Sequence, residues 1–229
     1  ARRIHARRTA AGMLVLALPE LQVRLDDAGQ VVDAGPAETS FSHTIIEMCM
    51  VEANEAVSRC LTAAGEGHLR RVHPAPAAEG AAALQPLRPL LGDAVPRELS
   101  RAALTAALER VRGQPAENVV SYFLLRSLPQ AAYSPAPDGH FALASEHYCH
   151  FTSPIRRYAD LVNHRRLDAL LRGEARPRGR KRAGDRATDQ LNLSAVALHI
   201  NGTERRAQQV EREARQALLL LWLADKVGE

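Results

Sequence analysis

The 229-residue chain is long enough to bury a sizeable core, and its 46% apolar against 24% charged content excludes general disorder. Its net charge of +4 rests on 30 basic residues, of which only Lys181 and Lys226 are lysines; guanidinium suits bidentate phosphate contacts, although an Ala- and Arg-rich composition equally reflects genome base composition. No apolar run reaches ~18 residues, the N-terminus has no signal-peptide core, and Cys49, Cys60 and Cys149 form no C-x-x-C pair, which together predict a soluble, cytoplasmic protein without structural disulfides.

A basic opening segment, Ala1 to Arg8, precedes three short apolar runs, Gly12 to Leu16, Leu21 to Leu25 and Gln30 to Val32. With the Asp26-Asp27-Ala28-Gly29 turn between the last two, these predict a β-meander. Ser42 or Thr44 can cap a helix in which Ile45, Met48, Val51 or Glu52, Glu55 and Arg59 recur by turns up to a stop at Gly65. Glu47 then falls in its first turn, where a carboxylate complements the helix dipole. His73, followed by Pro74 and Pro76, ends an extended stretch and reads as structural. An Ala- and Pro-rich region follows, and Arg97 to Arg112 and Ala116 to Leu128 are expected to form two amphipathic scaffold helices.

Tyr133 to Phe151 is loop-rich, and Gly139 permits a tight backbone course there. His140, His147, Cys149 and His150 stand close in sequence, but their spacing matches no usual zinc pattern. In His150-Phe151-Thr152-Ser153-Pro154-Ile155-Arg156-Arg157-Tyr158, Pro154 fits a first helical turn capped by Thr152 or Ser153, with Ile155, Tyr158, Leu161 and Val162 at helical spacing. Arg156 and Arg157 would then lie at the positive end of the helix dipole, an unfavourable place for cations unless an anion faces them. Hydroxyls, backbone N–H groups and two guanidinium forks at one helix start are suited to a phosphodiester. The alternative is a pair of surface ion pairs with Asp160 or Glu146. His164, one turn after Asp160, reads as a capped or paired structural histidine. Arg176 to Arg182 is an exposed basic loop, and Asn201-Gly202 is expected to split the pattern from Thr188 to Ala224 into two helices.

The run His150 to Tyr158, continued by Asp160-Leu161 and His164-Arg165, resembles the signature of the ribonuclease II and ribonuclease R family of 3′-to-5′ exoribonucleases (RNB-type exoribonucleases). The Gly12 to Asp33 hairpin with Leu18-Pro19-Glu20, Ile46-Glu47 to Glu55, Arg71 to Pro74, Arg126-Ser127, Ala132 to Ser134 and Gly139 to Phe141 match it in order. The resemblance spans nearly the whole chain but only the C-terminal half of that family's catalytic domain, with no S1 or cold-shock module. It implies an α+β fold, mostly helical with a small antiparallel β-meander near the N-terminus, over 1–229 as one domain portion.

The same resemblance implies hydrolysis of single-stranded RNA, without a preference for DNA, using Mg²⁺ whose aspartate ligands lie outside this chain on the missing N-terminal half. Arg156 is carried over as the catalytic arginine, and Glu47, Ser153, Arg157, Tyr158 and Glu211 as RNA-binding residues. Glu47 and Glu211 would sit near the terminal nucleotide; Glu211 can equally form an i,i+4 pair with Arg215. The family's base-stacking Phe falls on Val15, which cannot stack a base, and a family Gly falls on Ala142. The alternative reading is a non-hydrolytic RNA-binding relative that keeps the arginines.

Overall fold

The computed structural model describes residues 1–18, 21–37, 40–174, 183–224 and 226. The basic opening segment forms helix α1 (Arg2–Ala10), held to the long helix α2 (Phe41–Ala64) by Arg8. That buried guanidinium donates to Glu52 Oε1 at 2.5 Å and also reaches Glu55. Between the helices lies a hairpin, β1 (Leu21–Leu25) antiparallel to β2 (Val31–Pro36). Asp26 closes its turn by accepting from the N–H groups of Ala28 and Gln30, at 3.0 and 2.8 Å, and Gly29 takes a φ of 77°.

The expected strand over Gly12 to Leu16 does not form, so the meander is reduced to this two-stranded hairpin. Its apolar side chains are drawn elsewhere: Met13 is buried, and Leu14 and Leu16 pack on the helical core. The backbone N–H of Leu14 goes to Ala142 O at 2.8 Å and that of Ala17 to Ser121 Oγ at 3.2 Å, so no neighbouring strand supplies the partners. Pro19 and Glu20 lie outside the described residues.

Helix α2 starts earlier than predicted. Ser40 is the N-cap, its N–H donating to His43 Nδ1 at 3.2 Å, which moves Glu47 out of the first turn and away from the dipole. The buried face is Met48, Val51, Asn54, Glu55, Ser58 and Leu61, and Gly65 ends the helix with a φ of 73°. The chain then passes through β3 (Arg70–Val72), a 3₁₀ stretch (Ala78–Leu87), the single turn α3 (Arg88–Leu91) and the two predicted scaffold helices, α4 (Arg101–Val111) and α5 (Glu117–Ser127). Leu84, Leu87, Leu91, Leu104, Val120 and Leu124 make the first core among these.

A second core sits beneath the site. β4 (Ala132–Ser134) pairs antiparallel with β3, Arg71 opposite Tyr133. Leu69, Tyr133, Ala159, Leu193, Ala197 and Ile200 fill the space between this small sheet, helix α6 (Tyr158–Leu171) and helix α7 (Ala183–Ala224). Helix α7 runs unbroken through Asn201-Gly202, contrary to the expected pair of helices. Asn201 is used for docking instead of stopping: its amide accepts from Tyr133 N–H at 2.8 Å and donates to Tyr133 O at 2.9 Å. Tying β4 to α7 in this way outweighs the ~1 kcal/mol that a glycine costs in a helix interior. The Arg176 to Arg182 loop lies outside the described residues. Among the described residues, no helix is long and apolar enough to cross a membrane.

Candidate active site

Arg156 and Arg157 do not lie inside a helix. Pro154 to Arg156 form a turn in which the N–H groups of Arg156 and Arg157 both donate to Ser153 O, at 3.3 and 3.1 Å. Arg157 is the N-cap of α6, in extended conformation with φ −127° and ψ 116°. The first helical turn therefore carries Asp160, whose negative charge suits the dipole, and not the two cations. Asp160 is fully buried and accepts from Ser153 N–H at 2.8 Å and from Arg157 Nη2 at 2.7 Å.

The two arginines are thus in different states. Arg157 is tied to Asp160 and to Thr152 Oγ1 at 3.4 Å. Arg156 is exposed, and its guanidinium has no hydrogen-bond or ion-pair partner among the described residues, so the surface ion pair weighed for it does not form. Helix α7 faces this turn across a cavity of about 400 Å³ lined by Tyr133, Arg156, Arg157, Tyr158, Glu204, Gln208 and Glu211, with a few small and apolar side chains.

Four of the six predicted site residues meet there: Arg156, Arg157, Tyr158 and Glu211. Tyr158 is 51% exposed, leaving its ring available for stacking. Glu211 is held by Arg215 at 2.7 Å and remains largely exposed, so both readings of it are compatible in one geometry. Glu47 and Ser153 are not in the lining. Glu47 is exposed on α2, and Ser153 is engaged through its backbone. Val15 is 41% exposed. Ala142 has no left-handed backbone; that conformation falls on Ala144, with φ 51°. Gly139 earns its place by close approach, since a Cβ there would stand 2.8 Å from Ser145 O.

Tyr133 and Arg71, from two of the stretches matched in sequence, and Glu204, from the middle of α7, adjoin these residues. Arg71 stacks over the Tyr133 ring with its guanidinium carbon 4.6 Å from the centroid, and pairs with Glu204 at 2.7 Å. Tyr133 Oη is 2.8 Å from His150 Nδ1, and burial pushes its phenol up to about 12. Burial, with Arg157 and Arg71 adding to it, holds His150 down at about 3. Tyr133 and His150 are therefore both uncharged at neutral pH, and the Arg71–Glu204 pair beside them carries no net charge.

Behind them Tyr148 and His140 continue edge-to-face from His150, and His73 packs tilted on His140, with centroids 5.0 to 5.9 Å apart. His73 is a neutral structural histidine, accepting from Ala142 N–H at 3.2 Å and bonded to Pro129 O at 2.8 Å. His164 stacks on Phe151, centroids 3.8 Å apart, and bonds Phe151 O at 2.8 Å. It is not paired with Asp160. All three cysteines are free, and burial raises the Cys149 thiol to about 12, far from a thiolate ligand. Among the described residues no three His, Cys, Asp or Glu side chains stand together in a way that could hold a metal ion. The one buried carboxylate of the motif, Asp160, is already committed to Arg157, so the residues of the site do not themselves fit a metal.

The RNB domain family model matches residues 1–173. Ribonuclease R of Aquifex aeolicus is 36% identical over 228 residues, covering 99% of this chain and 31% of the relative. Ribonuclease R of Escherichia coli is 34% identical over 190 residues, 82% of this chain and 23% of the relative. The structure of Mycoplasma genitalium RNase R in complex with ribose-methylated single-stranded RNA superposes with a TM-score of 0.87 at 30% identity, covering 99% of this chain and 35% of that one. The chain spans about a third or less of the length of these relatives. With three quarters of its residues inside the family match and its backbone superposing on an RNase R structure over nearly its whole length, the chain belongs to the RNB domain family.

Proposed function

We propose that this chain is the C-terminal half of the catalytic domain of a cytoplasmic 3′-to-5′ exoribonuclease that degrades single-stranded RNA. The observation that carries this is the exposed Arg156 guanidinium, unpartnered among the described residues, lining one cavity with Arg157, Tyr158 and Glu211. A fork left without a carboxylate is preorganised for an anion, and a phosphodiester offers two oxygens at matching spacing. In the reaction, water adds to phosphorus and the P–O3′ bond breaks, the leaving 3′-oxygen taking up a proton. Arg156 offsets the charge that builds on the phosphoryl oxygens, where a preorganised donor is worth more than in water. Tyr158 offers a face to the terminal base or ribose, and Glu211 and Glu47 offer acceptors to ribose 2′-hydroxyls. Ser153 and Arg157 hold the backbone that presents these groups. Mg²⁺ is the metal expected for the hydrolysis, with carboxylate ligands outside this chain.

The test is degradation of a 5′-labelled single-stranded RNA by the complete protein that contains this chain. Progressive shortening from the 3′ end with release of nucleoside 5′-monophosphates is expected, abolished by EDTA and restored by Mg²⁺. Internal cuts, equal degradation of the matching DNA, or RNA binding without any cleavage would overturn the assignment; the last outcome would favour a non-hydrolytic relative.

A further inference from the structure

Three polar residues on one face of α6 each reach back to the segment that leads into the arginine turn. Asp160 Oδ1 accepts from Ser153 N–H at 2.8 Å, Asn163 Nδ2 donates to His150 O at 3.0 Å, and His164 Nε2 bonds Phe151 O at 2.8 Å. From the opposite side, Asn54 Oδ1 accepts from Phe151 N–H at 2.8 Å. The peptide of Ser153 is held at both ends: its N–H by Asp160, its carbonyl by the N–H groups of Arg156 and Arg157. Asp160 also holds the Arg157 side chain, so the backbone of Arg156 is flanked by two anchors belonging to one buried carboxylate.

We infer that Asp160 is a positioning residue for Arg156: it contributes to turnover by setting where the free guanidinium stands, without touching substrate. This rests on the proposed role of Arg156 at the scissile phosphate. A shift of about 1 Å in a reacting group can cost up to ~10²-fold in rate, so loosening the turn lowers turnover while leaving the RNA-holding surface in place.

The experiment is a double-mutant cycle in the complete protein, with Asp160→Asn, Arg156→Ala and the pair, read by single-turnover cleavage and by equilibrium RNA binding. Asp160→Asn keeps an acceptor for Ser153 N–H but loses the charge that fixes Arg157. It is expected to lower the cleavage rate ~10-fold or more with RNA affinity changed less than about threefold, and to add little once Arg156 is gone. If the Asp160→Asn loss persists in full on the Arg156→Ala background, or appears equally in affinity, Asp160 is structural and the inference fails. If Arg156→Ala alone leaves the rate intact, the role proposed for Arg156 fails instead. Should Asp160→Asn not fold, His164→Phe keeps the stack on Phe151 and removes only the bond to its carbonyl; it must show the same dependence on Arg156, at a smaller loss of a few-fold.

Discussion

Replacing Arg156 with lysine separates a transition-state role from simple attraction to RNA. The side chain is exposed and unpartnered among the described residues, so Arg156→Lys removes no hydrogen bond or ion pair described there, and stability is expected to stay within about 0.5 kcal/mol of wild type. The cost falls on chemistry: losing one charge-assisted donor at a reacting centre is worth about 3 to 4 kcal/mol, or roughly 10²- to 10³-fold in rate. An ammonium restores the charge but not the fork, and little of that loss should be recovered. Arg157 supplies the internal contrast. Its loss strands the fully buried Asp160, so Arg157→Ala is expected to lower stability by about 3 kcal/mol, the small end for a broken buried pair because the guanidinium is 19% exposed. Arg157→Lys, able to keep the pair, should be milder. Single-turnover cleavage and equilibrium binding on the same RNA, with thermal melts, read all three quantities. A near wild-type rate for Arg156→Lys, or equal losses in rate and affinity, would refute the catalytic assignment and leave Arg156 as part of the holding surface.

RNA binding should fall steeply with salt and be indifferent to base sequence, because guanidinium–phosphate contacts supply the affinity; a flat salt response in filter binding would remove that account. Glu47→Ala and Glu211→Ala should weaken discrimination between RNA and DNA 3′ ends with little change in melting temperature, since both carboxylates are exposed; equal losses on the two substrates would remove the 2′-hydroxyl role. Stability should decline in acid. Burial is the largest cause that keeps His68 near 4 and His140 and His150 near 3, below the ~6.5 of the unfolded chain. Their contribution is complete above pH ~6.5 and is lost as pH falls toward 4 and then 3, at about 1.4 kcal/mol per pH unit for each histidine that only the unfolded state protonates. Denaturant melts from pH 7 to 4 showing no decline would contradict the buried neutral cluster.

Where one segment carries its own signal, the sequence foretold the structure. The hairpin turn at Asp26 to Gly29, the stop at Gly65 and the two scaffold helices all rest on residues that act within a few positions of themselves. The start of α6 shows the limit. Pro154 after two hydroxyl residues satisfies the local rules for a helix start, yet the Ser153 carbonyl closes only a single turn, with the N–H groups of Arg156 and Arg157, while its N–H is held by Asp160, seven residues on. With that bond made, the chain turns once and begins its helix at Tyr158, which separates a locked arginine from a free one. Tyr133, Arg71 and Glu204 were invisible as a unit because a strand pair and the middle of α7 bring them together across more than 60 positions.

The unbroken α7 has a long-range cause of the same kind. Asn201-Gly202 is a strong local stop, and the two bonds from Asn201 to the backbone of Tyr133 hold the helix through it. A Cβ at Gly202 meets nothing within 4 Å, so Gly202→Ala should stabilise the protein by up to about 1 kcal/mol. Asn201→Ala should do the reverse, leaving the Tyr133 N–H and C=O without these partners at about 1 to 3 kcal/mol each. It should also lower cleavage, because Tyr133 and Glu204 line one cavity with Arg156. Thermal melts and single-turnover rates on the two variants decide this. If Gly202→Ala destabilises, or Asn201→Ala melts like wild type, the helix continues for some other reason and β4 is not held to α7 by that amide.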